Sequence, residues 1–166
     1  MALLSKLNLG CGKNYLPGWV NIDNQRMFPE AKVDINADIN SLEYPANTID
    51  HILFSHVAMY FRPERLKPLL VKFHGWLKLR GVLEIETADI NKLANILLWE
   101  LDQDKREKWG LMNLFGTPGT GPHEWGYTPD TLTKLLEETG FDPVWITCHN
   151  GDKKPERDFK LVCTKN

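Results

Sequence analysis

The stretch "KLNLGCGKNYLPGWVNID", Lys6 to Asp23, constrains the chain more than any other. It reads as a short apolar strand, a Gly-x-Gly turn at Gly10 and Gly12, and a second strand from Trp19 ending in Asp23. Glycine at such a turn permits positive φ and lets backbone approach a ligand with no Cβ between. A dinucleotide-binding turn runs G-x-G-x-x-G into a full helix, with an acid about 20 residues on. Here Tyr15 stands at the third glycine position and Asp23 follows Gly10 too soon. Pro17 and Gly18 break what remains, so the first helix has to be short. A pyrophosphate needs a helix N-terminus directly behind the turn. The turn therefore suits a nucleoside without phosphates better than NAD or ATP, and S-adenosylmethionine (SAM) is the natural candidate. Asp23, at a strand end, is placed to accept from both ribose hydroxyls.

The rest of the chain alternates strands and helices. "AKVDINAD" is a third strand or extended edge, Ile49–Phe54 a buried strand, and Val82–Thr87 another. Between the last two, Leu66, Leu69, Leu70, Phe73 and Leu77 share a helical face, and Pro68 is expected to restart that helix. Asp89 can cap a helix from Ile90 to about Lys108, with Leu93, Leu97 and Leu101 inward. "GLMNLFGTPGTGPHEWGY" is the long irregular segment. Thr128 then caps a helix with Pro129 first and Gly140 past its end. "PVWITCHN" and "DFKLVCTKN" close the chain as a hairpin joined by the polar "GDKKPER". The sum is an α/β fold in one domain, 1–166.

With 42% hydrophobic and 25% charged residues the chain can bury a proper core. A net charge of -2 argues against nucleic acid as a partner. No apolar run reaches membrane-spanning length, and the first residues lack the layout of a signal peptide. Cys11, Cys148 and Cys163 fit neither a disulfide framework nor a metal knuckle. A cytoplasmic setting and no metal site are the expectation.

The ordered series "LNLGCG…LPGWVNID…VDINADINSLEYPANTIDHILFSHV…WLKLRGVLEIETAD" resembles the class I SAM-dependent methyltransferases, over about Lys6 to Phe141. More narrowly it is similar to small bacterial ones found in polysaccharide or cell-surface glycan gene sets. The resemblance implies a Rossmann-like, mostly parallel seven-stranded sheet with an antiparallel terminal strand and helices on both faces. It implies that Gly10, Cys11 and Gly12 wrap the methionine part of SAM and that Asp23 holds the ribose. Asp38 and Ile39 would hold the adenine, Asp38 by accepting from the amino group and Ile39 by packing on the ring. Ser55 and His56 would lie beside the methyl group. Three positions depart from the pattern. Asn8 replaces the usual strand-one acid, Met59-Tyr60 replaces a Glu-His pair, and "LKLRG" replaces the usual turn.

Each residue also has a plainer reading. Asp38 could only cap its turn through Asn40, Asp89 only a helix, and Asp34 reads as solvated. His51 and His74 read as structural, and Cys148 and Cys163 as small hydrophobes. Trp109, Phe115 and Trp125 are either loop packing or a stacking surface. Long loops in compact domains often carry function, so the segment 110–127 is a candidate lid and His123 a candidate general base, with His56 the second. The expected activity is methyl transfer from SAM to an oxygen or nitrogen of a small-molecule or glycan acceptor. The alternatives are a SAM-binding protein without transferase activity and, less favoured by the spacing, a nucleotide-sugar or NAD-type enzyme.

Overall fold

The computed structural model describes residues 5–117, 121–149 and 157–166, with backbone alone for 144–149. Seven strands form one sheet: β1 Lys6–Leu9, β2 Val20–Asp23, β3 Ile35–Asn36, β4 Ile49–Ser55, β5 Leu77–Ala88, β6 Phe141–His149 and β7 Asp158–Lys165. Their spatial order is β3-β2-β1-β4-β5-β7-β6. Strands β1 to β5 pair in parallel, and β7 runs antiparallel to both β5 and β6. The expected Rossmann-like sheet and terminal hairpin are thus both present. The "GDKKPER" connection lies almost wholly outside the described residues.

Alternation along the strands builds the core. Leu7, Leu9, Ile52, Phe54, Leu83, Ile85, Phe159 and Leu161 are buried on one face. They pack against α1 (Pro63–Trp76) and α5 (Pro129–Glu137). Helix α1 starts on Pro63 and runs unbroken through Pro68, contrary to the expected restart. Pro68 forfeits one backbone hydrogen bond, at a cost of about 3 kcal/mol. Leu66, Leu69, Leu70, Phe73 and Trp76 are all buried on either side of it. At about 1.5–3 kcal/mol per buried apolar side chain, their shared register outweighs the break. Helix α5 is capped as its sequence predicts. Thr128 and Thr131 form a reciprocal capping box, Pro129 opens the helix, and Gly140 beyond its end has φ +90°.

Two elements differ from expectation. Strand β5 begins at Leu77, directly after α1, rather than at Val82. Its "LKLRG" segment is a bulge in the pairing with β4, with Arg80 at φ +62°. Helix α2 (Ile90–Trp99) stops there rather than near Lys108. Asp102 accepts from Lys105 N and so starts a new turn, while Arg106 Nε donates to the Glu100 carbonyl. The chain continues through α3 (Gln103–Lys105), a π-helical segment (Arg106–Leu111) and α4 (Met112–Phe115). Leu93 points inward as expected, but Leu101 is 92% exposed. Leu93 packs with Met59 and Ala88, so α2 stands on the second face at the sheet's carboxyl end.

The short connection after β1 goes further than a shortened helix: residues 10–19 form turns only. Asn21, fully buried, holds them in place. Its Oδ1 accepts from Leu16 N (2.8 Å) and Asn8 Nδ2 (2.9 Å). Its Nδ2 lies within 3.0 Å of Leu16 O, Trp19 O and Asp34 Oδ2. Asp34 is therefore not merely solvated: it also accepts from Asn21 N and the Tyr15 hydroxyl. On the second face Trp19 packs edge-on against His51 at 4.8 Å. His51 Nε2 stands 2.8 Å from Glu84 Oε1, off the line of an ideal hydrogen bond, and Lys160 Nζ reaches Glu84 Oε2 at 3.1 Å. A polar row thus occupies the middle of this face.

Two predictions follow from these contacts. Asn21→Ala orphans buried backbone groups of the loop, each worth about 1–3 kcal/mol. It should cost on the order of 3 kcal/mol in urea unfolding. His51, and then Lys160, hold the Glu84 carboxyl down to about 2 from an ordinary 4.5. A depressed carboxyl stabilises the fold above its unfolded value, and that stability is lost as pH falls through its folded value. Glu84→Gln should therefore destabilise the protein at pH 7, and the difference from wild type should shrink as pH falls from 4.5 toward 2 in urea titrations.

Candidate functional site

Gly10 and Gly12 have φ of +67° and +50°. A Cβ on Gly10 would stand 2.5 Å from Val57 Cγ2, and one on Gly12 3.2 Å from Phe28. Both positions need glycine for conformation and for space. The amides of Gly10 and Cys11 both donate to Ile22 O, which turns the loop back over β2. Asp23 then takes Gly12 N on Oδ2 and Gln25 N on Oδ1, both at 2.9 Å. The acid at the end of β2 therefore braces the glycine turn as well as facing the space beside it.

That space is a cavity of about 900 Å³ at the carboxyl edge of the parallel strands. Gly10, Cys11, Gly12, Asp23, Asp38, Ile39, Ser55 and His56 all line it. Residues 10 to 56 of the expected site thus converge on one hollow. Cys11 is a buried wall: burial and then Asp23 push its thiol up to about 11, so it stays protonated. Asp38 also caps, as its plainer reading has it, with Oδ1 accepting from Asn40 N and Nδ2. Backbone donation from Asn40 is the main reason its carboxyl is held low. Asn8 lines the cavity too, but its Nδ2 is spent on Asn14 O and Asn21 Oδ1. A second, shallower hollow of about 550 Å³ lies on the outer side of α2 between Lys92 and Leu101, away from all these groups.

The segment from Gly110 to Tyr127 is not wholly irregular, since it includes the end of the π-helical segment and all of α4. Residues 118–120 lie outside the described residues. Residues 124–127 are fixed to the cavity rim. Glu124 N and Trp125 N both donate to Met59 O, Glu124 pairs with Arg65 at 3.0 Å, and Tyr127 donates its hydroxyl to Phe61 O. Glu124 and Arg65 are part of the cavity wall. Phe115 and Trp125 are 64% and 46% exposed, whereas Trp109 lies under the Arg157 guanidinium at 5.6 Å.

His123 does not line the cavity; it stands behind Tyr60, ring edge to ring face at 5.0 Å. Its Nδ1 is 2.9 Å from the Asn113 carbonyl. A carbonyl only accepts, so in the neutral ring the proton sits on Nδ1 and the lone pair on Nε2. Burial, outweighing that bond, lowers the basicity of the ring, and the neighbouring His56 and Arg157 lower it further. His56 lines the cavity in an unusual backbone conformation, φ +54°, with its N–H on Glu86 O at 2.7 Å. Around it lie Glu86, Asp158 and Arg157, which nothing in the sequence singles out. They come from β5 and the start of β7, far apart in the chain.

No protein-family model matches the sequence, and no curated protein matches it. Solved structures do resemble it in fold. A SAM-dependent methyltransferase from Archaeoglobus fulgidus superposes with a TM-score of 0.67 at 19% identity, over 99% of this chain and 87% of that one. One from Mesorhizobium loti gives 0.69 at 17%, over 98% and 91%. A Burkholderia thailandensis 1,6-didemethyltoxoflavin-N1-methyltransferase, solved with bound 1,6-didemethyltoxoflavin and S-adenosylhomocysteine, gives 0.65 at 15%, over 98% and 71%. The fold is that of the Rossmann-like methyltransferases. No helix among the described residues is long and apolar enough to cross a membrane.

The His123 geometry has a direct test. Long-range proton–nitrogen NMR at pH 7.5 should show the Nδ1–H tautomer, and the ring should protonate below the ordinary 6.5. A ring that titrates at or above that value would show that it is not held as described.

Proposed function

We propose that the chain is a SAM-dependent methyltransferase that acts in the cytoplasm as one domain. The observation that carries this reading is the convergence of the glycine turn, Asp23, Asp38 and Ile39 on one cavity with no helix behind the turn. A dinucleotide pyrophosphate would lack its helix N-terminus there, whereas a nucleoside with an amino-acid tail needs only backbone and carboxylates. Gly10 to Gly12 border the methionine portion, Asp23 accepts from the ribose, and Asp38 with Ile39 holds the adenine. The fold neighbours, named as SAM-dependent methyltransferases, support the same reading.

The chemistry is an in-line displacement. A lone pair on an acceptor oxygen or nitrogen attacks the methyl carbon, the carbon–sulfur bond breaks, and its electrons neutralise the sulfonium to give S-adenosylhomocysteine. The protein supplies alignment and a site shielded from water. The acceptor proton passes to a base. His56, on the cavity wall, is the candidate within reach; His123, with its lone pair on Nε2 but behind Tyr60, is the second and would act only through a water or a shift of that ring. We further propose a small-molecule or glycan acceptor, brought in along the side walled by Tyr60, Arg65 and Glu124.

Calorimetry with S-adenosylhomocysteine tests the reading. It should bind and raise the melting temperature, and NAD should do neither. Asp23→Ala should weaken binding by about 1.5–3 kcal/mol, the range for lost hydrogen bonds to a charged group. A melting shift with NAD alone would overturn the assignment in favour of a dinucleotide enzyme. Binding with no methyl transfer across acceptor panels would favour the non-catalytic alternative.

A further inference from the structure

We propose that the chain binds one divalent transition-metal cation through His56, Glu86 and Asp158, at the edge of the cavity. The inference rests on this trio and does not depend on the methyl-transfer reading; with Nε2 on the cation, His56 is a ligand and not the base. Three adjacent strands deliver the ligands: His56 directly follows β4, Glu86 lies near the end of β5, and Asp158 opens β7. All three are half-buried, and one ligand atom from each lies within 4.8 Å of the other two. His56 Nε2 is 3.9 Å from Glu86 Oε1 and 3.8 Å from Asp158 Oδ2.

Those separations are too long for hydrogen bonds between the three groups. They are the right size for something held among them. Because the third separation is within 4.8 Å, a point equidistant from the three atoms lies no more than about 2.5 Å from each, and bonds from divalent cations to imidazole nitrogen or carboxylate oxygen run at about 2.0–2.6 Å. One imidazole with two carboxylates favours manganese, ferrous iron or zinc over calcium or magnesium, whose preferred ligands are all oxygen.

Neighbouring side chains hold two of the ligands, and Asp158 Oδ2 would share its lone pairs between Arg157 and the cation. Ser55 Oγ donates to Glu86 Oε2 at 3.2 Å, on the oxygen turned away from His56. Arg157 grips Asp158 with two hydrogen bonds, Nε to Oδ1 at 2.7 Å and Nη2 to Oδ2 at 2.8 Å. Arg157 is itself tied to the Asn113 side chain. Such outer partners fix ligand orientation in metal sites. The charges also sum suitably: two carboxylates and one guanidinium leave a net negative charge for the cation. His56 also borders the cavity, so a hydroxyl or carboxylate oxygen of a bound molecule could complete the coordination.

The test uses the full chain without a histidine tag, stripped with chelator and titrated with manganese and zinc chloride by calorimetry. One ion per chain with micromolar or tighter affinity is expected. Glu86→Gln and Asp158→Asn should each weaken it at least roughly 10–100-fold, the range found even for outer-shell losses, with their folding checked by circular dichroism. Should either variant unfold, NMR of the wild type decides: sub-stoichiometric manganese should broaden the His56 ring signals before those of His51 and His74. Absence of saturable binding, or binding that neither variant alters, overturns the site and leaves a charge network in its place. Titrating the same sample with S-adenosylhomocysteine separates the two readings, because each ligand can fail to bind without the other.

Discussion

The structure depends on one buried amide. Asn21 sits in β2, has no exposure, and closes the ten residues that join β1 to β2. In most sheets of this order a helix spans that gap and satisfies its own backbone. Here the backbone groups of Leu16 and Trp19 have no helical partner, and a buried polar group without one is costly. One side chain that both donates and accepts solves this, because a side-chain amide carries two N–H donors and a carbonyl acceptor together. Asn21 also fixes Asn8 on β1 and Asp34 ahead of β3. Three strands are thus locked together at the point where the glycine turn begins.

The glycine turn inherits its shape from that lock. With residues 14–19 anchored, Gly10 and Cys11 can hang from the Ile22 carbonyl and Gly12 from Asp23. The cavity floor is therefore made of backbone, with Phe28 and Val57 filling the space that side chains at Gly12 and Gly10 would take. The absent helix also leaves part of the second face uncovered. Trp19, His51, Glu84 and Lys160 occupy it, and their mutual charge and ring contacts make that face tolerable to water.

The carboxyl edge beyond β4 and β5 obeys a different constraint. Asp89 N bonds Arg157 O and Ile90 N bonds Tyr127 O, so the ends of β5, the segment before α5 and the start of β7 meet at one place. This meeting gathers Glu86, Arg157 and Asp158 beside His56 at the cavity's edge, with His123 behind Tyr60. The left-handed backbone at His56 is held by its bond to Glu86 O. Non-glycine residues in that region carry strain and cluster at functional sites.

The alternation of strands and helices, the terminal hairpin and the helix caps were legible in the sequence, because periodicity, turn residues and caps are local properties, whereas the order of the strands in the sheet was not. The turn glycines and Asp23 at a strand end were read from spacing, whereas Asp38, Ile39, Ser55 and His56 were expected only from the family resemblance; all of them line one cavity. Other features were set by tertiary contacts. Pro68 stays inside α1 because buried neighbours on both sides fix its register. Leu101 faces water because Asp102 starts a new turn, and β5 reaches back to Leu77 because β4 is there to pair with it. The role of Asn21 could not be read from "GWVNID", where it looks like one polar residue in a strand. The group around His56 was equally hidden: its members stand at positions 56, 86, 123, 157 and 158, and no spacing rule links them. Only the pairing of β7 between β5 and β6 brings them within reach of one another, since ligand geometry is a matter of distance in space and not along the chain.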